Sequence, residues 1–281
     1  VTLARTADLV ADAVGRGRAV PAVNVVTLEY AEAIIDGAER AEAGVILQLS
    51  QNAIRFHGSF RPILAACREL ARAAAVPVAL HLDHIDDTAL VDVALQDAAE
   101  LGLGSIMVDF ATRDYADNVA ATAEAAARGR AHGLLIEAEL GAIGGKDGAH
   151  APGVRTDPVE AAAFVAATGV DALAVAVGSS HAMRDRSAMI DYDLVSRLAA
   201  AVAVPLVLHG SSGVSDSGLA RAVAAGIRKV NVGTALTMAY DAAVRGELAA
   251  HPDRIDPRPP LRTARVAMAD VAEHVCRLLT G

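Results

Sequence analysis

Three histidines stand where a chain could build an open metal site: His84 in VPVALHLDH, His181 in ALAVAVGSSH and His209 in PLVLHGSSG, each one residue after a short apolar run or the turn that ends it. Three neutral imidazoles fill three positions of a tetrahedral zinc and leave the fourth for water or substrate, whereas a structural zinc is closed by a fourth protein ligand. The pattern points to a metal-dependent enzyme. A single histidine is most often a hydrogen-bonded, partly buried residue, and it is the recurrence at three strand ends that turns the argument. His57, His132, His150, His251 and His274 fall in loops or helical stretches and are left unassigned. His81 shares a strand face with Asp83 and is expected to support the site by hydrogen bonding.

Carboxylates accompany the imidazoles. Asp83 immediately precedes His84, and because neighbours on a regular strand face opposite ways, both enter one site only if the strand ends there. The alternative is that Asp83 caps the next helix. EAELGAIGGKDG places Glu137 and Glu139 two apart on one face, where a metal, a lysine or a shifted pKa must compensate their charge. A structural pair with an interior Lys or Arg is the competing reading. HGSSG at 209–213 and NVGT at 231–234 follow the seventh and eighth apolar runs, positions where barrels hold phosphate on backbone N–H groups and the start of a short helix.

Those residues need a frame that brings distant strand ends together. Short β-rich runs recur at Ala19–Asn24, Val45–Ser50, Val76–Asp83, Ser105–Phe110, Leu134–Leu140, Ala172–Gly178, Leu206–Gly210 and Lys229–Thr234. Ala-rich segments of helical spacing lie between them, as in Leu28, Ala31, Ile34, Ile35 and Ala38. Eight alternations predict an α/β fold, a closed (β/α)8 TIM barrel, in preference to an open doubly wound sheet, because only closure gathers the ends of strands three, five, six, seven and eight at one mouth. No linker or composition break divides the 281 residues, so a single domain over 1–281 is expected, with the proline-stiffened Ile255–Leu261 leading to a last, C-terminal helix.

Composition narrows the partners. Hydrophobic residues make up 53% and aromatics 3%, so Ala, Val, Leu and Ile must fill a closely packed core. A net charge of −9 without any Lys/Arg-rich run argues against nucleic acid and anionic membrane surfaces. Cys67 and Cys276 lack metal-binding spacing and suit reduced, buried thiols. No apolar run approaches the roughly 18 residues of a spanning helix, and a cytoplasmic location is the expectation.

Together, AVPAVN at 19–24, LHLDH at 80–84, EAELGAIGG at 137–145, AVGSSH at 176–181, LVLHGSSGV at 206–214, KVNVGT at 229–234 and DPRPPLRTAR at 256–265 resemble the class II, metal-dependent ketose-bisphosphate aldolases over nearly the full chain, and the fructose- and tagatose-bisphosphate enzymes look closest. The resemblance implies one catalytic Zn2+ on His84, His181 and His209, with Glu139 a carboxylate near the metal and Asp83 the catalytic base. It implies a triose-phosphate site at Gly210, Ser211, Ser212, Asn231, Val232, Gly233 and Thr234, with room for a monovalent cation beside it, and a wall formed by Asn24 and Ser50. The implied reaction is reversible: zinc polarises the C2 carbonyl, Asp83 removes the C4 hydroxyl proton, and the C3–C4 bond breaks to dihydroxyacetone phosphate and an aldehyde. A homodimer or homotetramer is implied as well. No Schiff-base lysine is required, in keeping with only Lys146 and Lys229, neither expected mid-strand in an apolar pocket.

The chain departs from the family pattern beside these positions. Lys146–Asp147–Gly148 stands where the family loop commonly carries the Glu that exchanges the enediolate proton, so Asp147 is the candidate replacement, one methylene shorter. Ala182 replaces a glycine after the second zinc histidine, and Met183–Arg184–Asp185 replaces a stretch with lysine, leaving Arg184 to pair with phosphate. Arg258 or Arg262 could meet a second phosphate, including across a subunit interface, although an exposed, solvated arginine is the favoured reading for each. Three alternatives stay open at this point: another phosphorylated keto-sugar as substrate, a metal-dependent barrel hydrolase, and a non-catalytic sugar-phosphate-binding subunit.

Overall fold

Every strand of the computed structural model pairs in parallel with its sequence neighbours, and β1 closes on β8, giving a complete eight-stranded barrel. The structure describes residues 3–140, 155–179 and 185–281. The strands are β1 Val20–Asn24, β2 Val45–Ser50, β3 Val78–Ile85, β4 Ser105–Val108, β5 Leu135–Glu139, β6 Ala172–Ala174, β7 Leu206–Leu208 and β8 Ile227–Val232. The helices α1 Thr6–Arg16, α2 Leu28–Arg40, α3 Gln51–His57, α4 Arg61–Ala73, α5 Thr88–Leu101, α6 Tyr115–Ala131, α7 Pro158–Thr168, α8 Tyr192–Ala201, α9 Asp216–Ala225, α10 Thr234–Ala250 and α11 Arg258–Thr280 accompany them. None of the described helices is long and apolar enough to cross a membrane.

The period of two along each strand sorts its residues between the barrel interior and the helix-facing side. Val20, Ala22, Ile46, Ala79, Met107, Leu135, Ala172, Ala174 and Val207 form the apolar inner cluster, and α1 adds Val10 and Ala13 to it. Continuing the same parity toward the carboxyl ends brings Asn24, Gln48, Ser50, His81, Asp83, Glu137 and Glu139 inward. The barrel is thus apolar toward one end and polar toward the other. Residues of opposite parity, such as Val23, Leu47, Leu49, Leu80 and Leu82, pack outward in the core under the helices.

Sequence expectations of strand position held better than those of strand length. The sixth and seventh strands pair over only three residues each, because the chain leaves the ladder before Gly178 (φ 120°) and Gly210 (φ 65°), conformations suited to glycine. The eighth strand starts two residues earlier than Lys229, which places that lysine mid-strand. In α2 the stripe Ala31, Ile34, Ile35 and Ala38 is buried, but Leu28 at the first turn is exposed. Cys67 and Cys276 are free and buried, and burial pushes both thiols up to about 12, far from reactive thiolates.

Helix α11 begins with Pro259 near its first turn, as the proline-rich approach predicts, and packs against α2 at Gly37. A Cβ at Gly37 would lie 2.5 Å from the Ala269 carbonyl oxygen and 2.6 Å from the Ala272 Cβ. Gly37→Ala is therefore expected to force α11 away from the barrel and cost about 1–3 kcal/mol, despite alanine's better helix propensity. Thermal and denaturant unfolding check the sign: a more stable variant would mean the helix pair has slack at this point.

Candidate active site

His84 breaks the strand parity, and a bulge lets it. Sequence reasoning required β3 to end at Asp83 for both Asp83 and His84 to reach one site; instead the strand continues to Ile85, its pairing with β4 is irregular between Leu82 and Ile85, and His84 takes a left-handed φ of 52°. The extra residue re-aims the imidazole into the mouth that Asp83 already faces. A non-glycine residue in that conformation costs on the order of 1–3 kcal/mol, offset by the surrounding contacts. The helix-capping alternative for Asp83 falls away, since Asp87 caps α5 by accepting from the Ala89 and Leu90 N–H groups.

His209 follows β7 and is fully buried. Its Nδ1 lies 3.1 Å from His84 Nε2, with the rings edge to face. Behind each ring stands a carboxylate: Asp109 Oδ2 is 2.7 Å from His84 Nδ1, and Glu137 Oε1 is 3.0 Å from His209 Nε2. If each backing nitrogen donates its proton to its carboxylate, the two facing nitrogens present lone pairs to one another, an arrangement that demands a cation between them. Burial opposes charge on His84, yet Asp83, then Asp109 and Glu139, raise its pKa to about 10. Ligand atoms of Asp83, His84 and His209, and of His84, Asp109 and Glu139, gather within 4.8 Å in each group. The donor set fits a divalent metal.

Three side-chain amides surround Asp83. Asn231 Nδ2 donates to Oδ1 at 3.3 Å, and Gln48 Nε2 and Asn24 Nδ2 donate to Oδ2 at 3.4 and 3.5 Å. Gln48 Nε2 also donates to Asn24 Oδ1 at 3.0 Å. A 210 Å³ cavity opens over this group, lined by Asn24, Gln48, Ser50, Asn52, Asp83, His84, Gly210, Ser211, Ser212, Asn231, Gly233 and Thr234. A larger recess of 890 Å³ opens elsewhere, around α1 and Arg277, but no histidine lines it.

Most of the expected ligand-binding residues meet in the smaller cavity. Ser211 Oγ donates to the Asn231 carbonyl and Ser212 Oγ accepts from Ala235 N–H, so these hydroxyls join the loop after β7 to the end of β8 and the start of α10. Gly233 is required by proximity, since a Cβ there would meet Asn24 Oδ1 at 2.8 Å. Ser50 lines the cavity and caps α3 by accepting from Ala53 N–H. Val232 turns its side chain into the core beneath the helices, leaving only its backbone available to the site. Asp147, His181, Ala182 and Arg184 lie outside the described residues.

The paired carboxylates separate into two environments. Glu137 is held by Lys229 Nζ at 2.8 Å, so the interior ion pair weighed as its alternative is what forms, while Glu139 stands near His84 and Asp109. Lys229 corrects a further expectation: it is mid-strand and buried, although polar groups rather than an apolar pocket surround it, with Asn231 Oδ1 accepting from Nζ at 2.7 Å. Sequence reasoning passed over Asp109, Gln48 and Asn52. Gln48 was findable as the inward position two residues before Ser50, and Asp109 as the carboxylate just past β4.

A closed (β/α)8 barrel with imidazoles and carboxylates gathered at its mouth defines a barrel enzyme with a candidate metal centre. The family model described as fructose-bisphosphate aldolase class-II matches residues 4–281, and the chain belongs to that family. It is an aldolase, a lyase that reversibly cleaves a phosphorylated ketose. The chain is 35% identical over 259 residues to the "Probable fructose-bisphosphate aldolase" of Bacillus subtilis (strain 168), covering 91% of this chain and 90% of that protein. The crystal structure of the YdjI aldolase from Escherichia coli K12 superposes with a TM-score of 0.82 at 30% identity, covering 99% and 97% of the two chains. That of a "putative fructose-1,6-biphosphate aldolase" from Coccidioides immitis gives 0.84 at 32%, covering 98% and 96%.

The Lys229–Glu137 pair generates a stability prediction. Lys229→Met should leave the buried Glu137 carboxylate without its ammonium and cost about 3–5 kcal/mol, with much of it recovered when Glu137→Gln is added. Denaturant unfolding of the two single variants and the double variant measures the coupling. An additive cycle would contradict the pairing.

Proposed function

We propose that the chain cleaves a ketose 1,6-bisphosphate of fructose or tagatose type to dihydroxyacetone phosphate and an aldehyde, with one zinc ion held by His84, His181, His209 and Glu139. The observation that carries this reading is the 3.1 Å approach of His84 Nε2 and His209 Nδ1, each ring backed by a carboxylate, beside Asp83. When bound there, zinc supplies a Lewis acid for the substrate carbonyl. Asp83 acts as the base: its carboxylate takes the C4 hydroxyl proton as C4 becomes an aldehyde carbon and the C3–C4 bond breaks. The bonding pair stays with the triose half, and Asp147 delivers the proton that C3 then needs. Asn24, Gln48 and Asn231 orient the carboxylate through their N–H groups.

The triose phosphate is assigned to the loops after β7 and β8. Gly210, Ser211, Ser212, Asn231, Gly233 and Thr234 line the cavity next to the start of α10, whose positive end favours an anion, and Val232 offers backbone alone. Asn24 and Ser50 form the facing wall, Ala182 and Arg184 extend the phosphate site, and a monovalent cation is proposed beside it. The chain is read as a single domain acting in the cytoplasm as a homodimer or homotetramer. The two buried thiols suit a reducing compartment.

The test is cleavage of fructose and tagatose 1,6-bisphosphates by zinc-loaded and chelated protein, coupled to triose-phosphate detection. Turnover that requires the metal is expected, and its absence on both sugars with zinc bound would overturn the substrate assignment. Asp83→Ala should lower kcat by about 10²–10⁴-fold while zinc is retained. Asp109→Asn should weaken zinc binding by about 10–100-fold in a chelator competition, and unchanged affinity would remove Asp109 from its orienting role.

A further inference from the structure

A chain of hydrogen bonds runs from the first turn of α1 to the floor beneath Asp83. Ser105 Oγ donates to Thr6 Oγ1 at 2.7 Å, and His81 Nδ1 lies 2.7 Å from the same Ser105 oxygen. All three residues are fully buried. With the Ser105 hydroxyl directed to Thr6, Ser105 accepts from His81, and Nδ1 carries the imidazole proton. Nε2 is then a lone pair. It faces Asp83 Oδ1 across 3.9 Å, an acceptor against an acceptor, too far for a hydrogen bond in any case.

Two buried side-chain polar atoms among the described residues have no hydrogen-bond partner, and they belong to cross-strand neighbours. One is His81 Nε2 and the other is Gln48 Oε1. Gln48 and His81 are directly paired across β2 and β3, and both side chains point into the barrel beside Asp83. His81 Nε2 and Gln48 Oε1 thus lack a donor, and Asp83 Oδ1, which accepts from Asn231 Nδ2 at 3.3 Å, is a third acceptor beside them. An orphaned buried acceptor is costly, and a group that can donate to two of them at once removes the cost. Lys229 already places an ammonium inside the same barrel through Glu137 and Asn231, and the zinc proposed on His84 and His209 would be a second cation nearby, which disfavours a third at this point. A water molecule has the two protons required and is the usual partner of buried polar groups left without one.

We propose that a buried water donates to His81 Nε2 and to Asp83 Oδ1, and that His81, set in its Nδ1–H tautomer by Ser105 and Thr6, is a positioning residue for Asp83. This rests on the reading of Asp83 as the base. His81 itself touches no substrate. It acts by holding the water that fixes the carboxylate from below, while Asn24, Gln48 and Asn231 fix it from the sides.

The deciding measurement is long-range 15N–1H NMR on zinc-loaded protein, with the His81 signals assigned by their loss in His81→Phe. A neutral ring protonated at Nδ1 is expected in the wild type, with movement toward the Nε2–H form in Ser105→Ala. Wild-type protonation at Nε2, or an unchanged tautomer in Ser105→Ala, overturns the proposal. In cleavage assays on whichever bisphosphate the wild type turns over, His81→Phe should lower kcat by about 10–100-fold, as expected for a displaced catalytic group. KM and zinc stoichiometry should stay within about twofold of wild type, well below the tenfold kcat loss that displacement produces. Loss of melting temperature with unchanged kcat would mark a merely structural histidine and sink the idea. Should His81→Phe fail to fold, the Ser105→Ala tautomer and its kcat, expected to fall in the same direction, decide, with the His81 resonances assigned by selective labelling. Failure of the base reading is separable, because it alone would leave Asp83→Ala active.

Discussion

Two imidazole nitrogens facing each other across 3.1 Å, inside a ring of carboxylates, are the constraint on which the rest of the mouth depends. If both outer nitrogens donate to their carboxylates, the facing nitrogens meet as lone pairs, and the contact is favourable only with a proton or a metal ion between them, which the surrounding carboxylates attract. Asp109 and Glu137 serve this arrangement from behind by holding the outer nitrogen of each ring. They make the facing nitrogens better donors to a metal, and they lock ring orientation before any ligand arrives. The same preorganisation suits a lyase, whose barrier falls most when charge is met by groups already in place.

Getting both rings to one point requires a local departure from regular structure. His209 arrives on the inward parity of Val207, whereas His84 arrives only because β3 bulges and its backbone turns left-handed. Without that bulge, either Asp83 or His84 would face the helices. A strained residue at the mouth is tolerable because the strands on either side are tightly paired and the apolar half of the barrel lies below. Glycines do related work at the phosphate loops, where Gly210 takes a left-handed turn and Gly233 lets the backbone pass Asn24.

The polar half of the interior is balanced by pairing rather than by solvent. Lys229 offsets Glu137, Asn231 connects Lys229 with Asp83, and Gln48 links Asp83 with Asn24. Burial pushes His81 well below the usual imidazole range, and the neighbouring Lys229 charge adds to that, keeping this ring neutral where His84 is driven the other way. Two histidines three residues apart thus hold opposite charge preferences because one sits among hydrogen-bonding neutrals near an ammonium and the other among carboxylates.

Much of this was legible in the residues alone. Eight β-rich runs alternating with Ala-rich helical stripes were enough for a closed barrel, because hydrophobic periodicity is local and closure is the arrangement that unites scattered strand ends. The placement of Asp83, His84 and His209 in one site followed from their position at strand ends, and the shared motifs pointed to the aldolase family. What stayed hidden were pairings between strands far apart in sequence: Lys229 with Glu137, His84 with Asp109, Gln48 with Asp83 and Ser105 with Thr6. The bulge at His84 was equally invisible, since a one-residue insertion in register leaves no compositional mark. Patterning along the chain determines which elements form, but register and closure alone decide which interior groups meet, because those contacts exist only after the barrel has brought strand ends within hydrogen-bond distance.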